Sequence, residues 1–493
     1  MFDQLRRRAI YKLASLGPRY MPFADVATPD LPLSRLLRLS LFQVSVGMTL
    51  VLLVGTLNRV MIVELNVPAA IVSVMIALPV LFAPFRALIG HKSDTHRCEL
   101  GWRRVPFVWK GTTYQFGGFA IMPFALLVLG DAGQAHLAPD WIGLVSAALA
   151  FLLVGAGAHV VQTAGLALAT DLTPPESHPK VVGLMYVALL LGMMGSALLF
   201  GAMLEDFTPG RLVQVIQGAA VMCVLLNGIA LWKQETRNPP RGVVRAPDPT
   251  FRDSWALFCS SDHAIRRLVI IGLGTMAFGM ADVLLEPFGG EVLAWSVSAT
   301  TKLTALLAVG GLVGFVFASG VLARGGNTYR LARDAALVGI PAFVLVIVAA
   351  PSGQAIAFLA GNFLIGFGAA VFGHATLTAT MRAAPRSQAG LALGAWGAVQ
   401  ATAAGVAVGL GGVLRDGIDL LLNSWSVLNP LVGPASGYLV VYGLEIALLI
   451  AAVIALSPIL RRISQRPRAP RGTGVDARSP AQDDRSLADL AGR

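Results

Sequence analysis

"GHKSDTHRCELGWRRVP", Gly90 to Pro106, sits between two long apolar runs and packs Lys92, Arg97, Arg103 and Arg104 around a single aspartate, Asp94. Such density stands out in a chain of 493 residues that is 55% hydrophobic and only 13% charged, with a mean hydropathy of +0.70. That composition is far from a soluble globular one and reads as a polytopic membrane protein. A bilayer-crossing helix needs about 20 mainly apolar residues. Working outward from the loop, such runs recur at 40–63, 67–89, 105–130, 141–170, 181–204 and 211–232, then at 265–289, 297–323, 331–350, 354–381, 390–414 and 437–460. The expectation is an all-α integral membrane fold of twelve transmembrane helices.

The net charge of +11 is explained by placement rather than by a nucleic-acid partner. About 33 of the 38 Lys and Arg fall in the N-terminal segment, the loops after even-numbered helices or the tail, whereas Arg59, Arg211, Lys302 and Arg415 fall towards the other face. The positive-inside rule then puts both termini and the central loop of this multi-pass membrane protein in the cytoplasm. The opening stretch becomes the cytoplasmic loop between helices 2 and 3, with topology and anionic lipid contacts explaining part of its charge. No cleavable signal peptide is visible in "MFDQLRRRAIYKLASLG". The organisation expected is an N-terminal segment 1–39 with an interfacial helix, six-helix bundles at 40–232 and 265–460, a central loop 233–264, and a disordered tail 461–493. In the first segment Phe2, Leu5, Ala9, Leu13 and Leu16 share a face opposite Arg6, Arg7, Arg8 and Lys12. In the central loop Thr250 and Asp253 form a capping box for a short helix carrying Trp255 and Phe258. Cys98, Cys223 and Cys259 are odd in number and widely spaced, so neither a disulfide framework nor a metal site is expected.

An internal repeat decides the arrangement. "ATDLTPPES", Ala169 to Ser177, ends helix 4, and "ATMRAAPRS", Ala379 to Ser387, ends helix 10 with Ala, Thr, Pro and Ser in matching places. Val46-Gly47-Met48 answers Phe278-Gly279-Met280, Val67 answers Val297, and Gly90 answers Gly320. Two pseudo-symmetric six-helix bundles, each of 3+3 inverted helices, make the major facilitator fold. The loop resembles that superfamily's motif between helices 2 and 3, which here is Gly90, Asp94, Gly101, Arg103 and Arg104, with Arg97 inside an insertion. The resemblance implies a latch between the two halves on the inner face.

A narrower resemblance covers the first three helices. "RLSLFQVSVGM" (Arg38 to Met48), "LNRVMIVEL" (Leu57 to Leu65), "LFAPFRALIGHKSDTHRCELGWRRVPFVW" (Leu81 to Trp109) and "QFGGFAIMPFALLVL" (Gln115 to Leu129) are similar to the PucC/LhaA proteins of purple phototrophic bacteria. That is the bacteriochlorophyll-delivery branch of the superfamily. The resemblance implies photosynthesis, assembly of light-harvesting complexes, and bacteriochlorophyll bound or in transit. The partners it implies are antenna polypeptides, the reaction-centre core complex, pigment-synthesis and membrane-insertion machinery, with self-association left open.

Such a pigment needs an apolar cleft and one electron-pair donor for its magnesium. His159 in helix 4 and His374 in helix 10 are the histidines well inside expected spans, and intramembrane ionisable groups are functional candidates. Gln162 and Asn362 are candidate partners for ring carbonyls, and Gln162, nearly one turn from His159, makes His159 the stronger of the two histidine candidates. The bland alternative for each histidine is a buried side chain bonded to a neighbouring helix. Among the intramembrane charges, Arg59 on helix 1 has its repeat counterpart on helix 7, where Asp282 and Glu286 lie a turn apart. They read either as an Arg59–Glu286 tie between the halves or as proton coupling. The GxxxG pairs Gly310/Gly314 and Gly405/Gly409 read as close helix packing near the seam.

No P-loop, HExxH or nucleophile elbow is present, and no diphosphate-binding acidic motif lies in a cytoplasmic loop, so the chain reads as a non-enzyme. Three functions remain open: an antenna-assembly factor, a secondary transporter of a small solute, and an auxiliary subunit of a bacteriochlorophyll-synthesis enzyme.

Overall fold

Long apolar stretches with a cap at one end and a helix-stopping residue at the other produce helices, and the chain supplies them in sequence. The computed structural model describes residues 31–81, 89, 93, 102–130, 139–174, 178–235, 263–383, 389–424 and 433–465. The expected interfacial helix in 1–39, the short helix after Thr250, most of the tail, and Gly90, Asp94, Arg97 and Gly101 lie outside the described residues.

The helices are α1 Leu33–Glu64, α2 Ala69–Leu81, α3 Val105–Leu129, α4 Asp140–Asp171, α5 His178–Met203 and α6 Pro209–Leu231. The second set is α7 Ala264–Glu291, α8 Val297–Ala323, α9 Thr328–Ser352, α10 Ala355–Ala383, α11 Ala389–Ser424 and α12 Ser436–Gln465. Eleven are long and apolar enough to cross a membrane, and α2 is the shorter twelfth. Local chemistry sets several starts. Thr208 caps α6 by accepting from Arg211 N–H at 3.1 Å, ahead of Pro209. Asn327 caps α9 by accepting from the N–H groups of Tyr329 and Arg330 at 2.9 and 3.1 Å. Gly353, at φ +62°, closes α9 in the left-handed region.

Two of the boundaries that differ from expectation have a visible cause. α1 begins at Leu33, so the division at 39 falls inside a helix; Leu36 and Leu39 are buried while Arg35 and Arg38 lower the local hydropathy. α11 runs ten residues beyond 414, because the charges that look like a stop, Arg415, Asp416 and Asp419, pair with one another and with Glu291.

Packing repeats with a six-helix offset. α3 lies on α4 as α9 lies on α10, and α1 on α5 as α7 on α11. Across the seam, α2 meets α11 as α8 meets α5, the pseudo-two-fold relation that the repeat implies. Close approach needs small residues, since lipid offers no hydrophobic drive between helices. A Cβ at Gly314 would stand 2.5 Å from the Phe367 carbonyl oxygen, so α8 and α10 lie nearly backbone to backbone. Gly310 faces the same helix, so this pair packs within the second half rather than at the seam, whereas Gly409 faces Ala77 of α2 across it.

We call the end bearing the start of α1 the basic end. Among the described residues, hydrogen bonds joining the halves concentrate at the opposite end. Asn58 donates to the Val283 carbonyl at 2.7 Å, and Arg59 to the Trp295 carbonyl at 3.1 Å. Asp416 of α11 accepts from Ala70 N–H at the start of α2 at 2.7 Å, and the Thr56 and Thr301 hydroxyls lie 3.3 Å apart.

Candidate functional site

On the basic-end side of those ties lies a cavity of about 360 Å³, walled by α5, α7, α8, α10 and α11. Its lining is mainly apolar and aromatic, including Phe278, Phe315, Phe372 and Trp396. His374 on α10 stands in this wall, half-buried, its ring centroid 4.5 Å from that of Phe315 and its Nε2 3.3 Å from the Ser319 hydroxyl. The cavity also receives Asp282, an exposed carboxylate deep within the fold.

Asp282 lies two residues beyond an interruption in the hydrogen-bond pattern of α7. The helix is interrupted at Met280, between Ala264–Gly279 and Ala281–Glu291. A backbone N–H left without its helical partner at membrane depth must find one inside the protein. Glu445 of α12, fully buried, accepts from the freed Ala281 N–H at 2.6 Å, at the positive end of the second segment. Glu445 is thus a helix cap, a role invisible in the sequence because its partner is a backbone group 164 residues away.

The other candidates are not brought to this cavity. Asn362, buried on α10, donates to the Leu303 carbonyl of α8 at 2.8 Å, which makes it a helix tie. His159 and Gln162 do not line the cavity, and Gln162 stands 3.4 Å from Gln43 on α1. The expected Arg59–Glu286 pair is replaced: Arg59 binds Glu64 on its own helix and the Trp295 carbonyl. The end of α1 is π-helical over Val60–Glu64, a winding that stacks residues five apart and so delivers Glu64 to Arg59. Glu286 instead accepts from the Thr304 hydroxyl of α8.

At the basic end the contacts described for Arg103 and Arg104 lie within the first half. Arg103 and Arg104 both donate to Asp171 at the end of α4, at 2.6 and 2.9 Å. Arg104 also reaches the Ser93 hydroxyl at 2.5 Å. Glu235, just beyond α6, accepts from the backbone N–H groups of Arg103, Arg104 and Val105 at 2.8 to 3.1 Å. The cluster clamps α3, α4 and α6 within one half. The repeat held the clue, since Asp171 belongs to "ATDLTPPES"; in the other half Arg382, beside its counterpart, donates to the Leu322 carbonyl at the end of α8 at 3.2 Å. Among the described residues no group of three His, Cys, Asp or Glu could hold a metal ion.

A two-bundle, twelve-helix protein with a cavity between its halves is a major facilitator fold, and solved structures agree. The bacterial homologue of the lysosomal transporter Spinster, inward-facing and occupied, superposes with a TM-score of 0.62 at 16% identity, covering 88% of this chain and 98% of that one. A bacterial homologue of the iron transporter ferroportin, inward-facing, gives 0.62 at 14% identity, covering 86% and 98%. Within that class the chain belongs to the PUCC protein family, whose profile matches residues 56–464. Protein PucC of Rhodovulum sulfidophilum is 61% identical over 421 residues, 85% of this chain and 93% of that protein. Protein PucC of Rhodobacter capsulatus is 58% identical over 461 residues, 93% and 99%. A Rhodobacter capsulatus protein named bacteriochlorophyll synthase 44.5 kDa chain is 27% identical over 451 residues, 88% and 97%.

Proposed function

We propose that this protein assists the formation of light-harvesting complexes by holding bacteriochlorophyll as cargo and passing it to antenna polypeptides. The observation that carries this reading is the cavity wall, an apolar and aromatic surface interrupted by one imidazole. With Nε2 of His374 beside Ser319, the ring keeps a second nitrogen for a metal. A cavity of about 360 Å³ is smaller than the whole pigment, so it would take part of the ring at His374 and leave the phytyl tail outside. The reading is supported by membership of a family whose relatives carry the PucC name. It also takes the basic end as cytoplasmic, which the distribution of Lys and Arg supports, and the membrane as a bacterial inner one, which the bacterial relatives support. On this view the chain carries pigment and catalyses nothing.

The test is a spectrum. Protein purified in mild detergent from a pigment-making membrane is expected to carry bacteriochlorophyll, and His374→Leu to lose most of it while eluting unchanged on size exclusion. Full pigment with an unshifted absorption maximum in that variant would remove His374 from the site. His159→Leu, whose side chain stands away from the cavity, is expected to keep the pigment.

Solute transport is a second reading, favoured by the exposed carboxylate of Asp282 on the cavity wall. Uptake by pigment-free protein in proteoliposomes, abolished by Asp282→Asn, would replace the first reading.

A further inference from the structure

A second concavity lies on the outside of the first half, between α3 and α6 at the basic end, and encloses about 1170 Å³. Its floor is the apolar face of α6, including Leu225, Gly228 and Ile229, and its rim carries Trp102, Trp109 and Trp232. Trp109 and Trp232 are 48% and 65% exposed, which suits rings lying at headgroup depth. A side chain at Gly228 would meet nothing nearer than Trp109, at 3.9 Å, so the glycine leaves a track open rather than admitting another helix.

The charges facing this groove are unevenly committed. Glu235 is taken up by three backbone N–H groups of α3. Gln234 exchanges hydrogen bonds with Arg35, accepting at 3.1 Å and returning one to the Arg35 carbonyl at 3.1 Å. Arg38, by contrast, points into the groove with its Nε buried and without a partner. Lys233 stands at the rim, where φ +54° turns the chain out of α6. The uncommitted charges are both positive, and a guanidinium on an apolar membrane surface calls for an anion. We infer that the α3–α6 groove binds one anionic phospholipid, its phosphate between Arg38 and Lys233 and an acyl chain laid along Gly228 and Leu225 beneath Trp109.

The site is independent of the pigment cavity, and so is its test. Native mass spectrometry in detergent, titrating phosphatidylglycerol or phosphatidylcholine of the same chain length, reads the affinities directly. The wild-type protein is expected to prefer phosphatidylglycerol. Each basic residue at an anionic surface is worth about five-fold, so Arg38→Gln with Lys233→Gln should weaken phosphatidylglycerol binding about thirty-fold and leave phosphatidylcholine unchanged. Gly228→Leu, which fills the track without touching a charge, should weaken both lipids. Arg333→Gln removes an exposed arginine at the same end and should change neither. Equal binding of the two lipids to wild type, or an intact preference in the double variant, overturns the proposal. So does competition by soluble glycerol phosphate at the same concentration as the lipid, which would mark a phosphate site without an acyl track.

Discussion

Replacing Glu235 tests the clamp at the basic end most directly. The start of α3 has no side-chain cap of its own, and its donors are met by a carboxylate 130 to 132 residues away. Glu235→Ala removes a cap, at about 1 kcal/mol, and a negative charge at a helix N-terminus, at about 0.3–1 kcal/mol. The hydrogen bonds to a charged acceptor raise the total to about 2 kcal/mol, or about thirty-fold in the unfolding equilibrium. Glu235→Gln keeps an oxygen for the N–H groups and loses only the charge, so it should cost about 0.5–1 kcal/mol. Reversible unfolding in dodecyl maltoside titrated with SDS, followed by tryptophan fluorescence, gives both numbers. Salt supplies the internal control: at 1 M the charge contribution is screened, and the gap between wild type and Glu235→Gln should close while that to Glu235→Ala persists. An alanine variant as stable as wild type, or a glutamine variant as damaged as alanine at low salt, would refute the capping argument.

Other consequences follow from close packing and buried pairing. Gly314→Val drives side-chain atoms against the Phe367 carbonyl and should cost about 1–3 kcal/mol in the same assay. Gly320→Ala, with nothing within 4 Å of the added Cβ, is the neutral comparison; equal losses would mean the α8–α10 approach is looser than described. Arg59→Lys keeps the charge but cannot serve Glu64 and the Trp295 carbonyl together, so it should lose about 1.5 kcal/mol, one hydrogen bond involving a charged group. A lysine variant matching wild type would show that charge alone holds this corner.

The two ends of the molecule do different work. At the end opposite the basic one, Asn58, Arg59 and Asp416 bind backbone groups of the other half, so opening there would strand donors and acceptors in an apolar setting. At the basic end the strong contacts of Arg103, Arg104 and Glu235 stay inside one half. The cavity at His374 lies on the basic-end side of those ties, between α5 of one half and α7, α8, α10 and α11 of the other.

The succession of apolar runs determined the twelve helices, and the paired stretches Ala169–Ser177 and Ala379–Ser387 determined their division into two related bundles, because length and charge placement are one-dimensional properties. The Gly310/Gly314 spacing likewise predicted a close crossing, though not which helix would be crossed. What the chain could not declare was azimuth. A helix apolar on every face carries no periodic signal of which side meets lipid, cavity or neighbour. The sequence therefore favoured His159, with Gln162 beside it, whereas packing turned His374 to the cavity and left His159 away from it. Partner choice was hidden for the same reason. Glu445 binds a backbone amide exposed by a helix break, and Glu64 reaches Arg59 through a π-helical turn. Glu235 serves amides on a helix far away in sequence. Each pairing arises because a polar group inside a membrane protein must be satisfied by whatever the tertiary structure brings within reach.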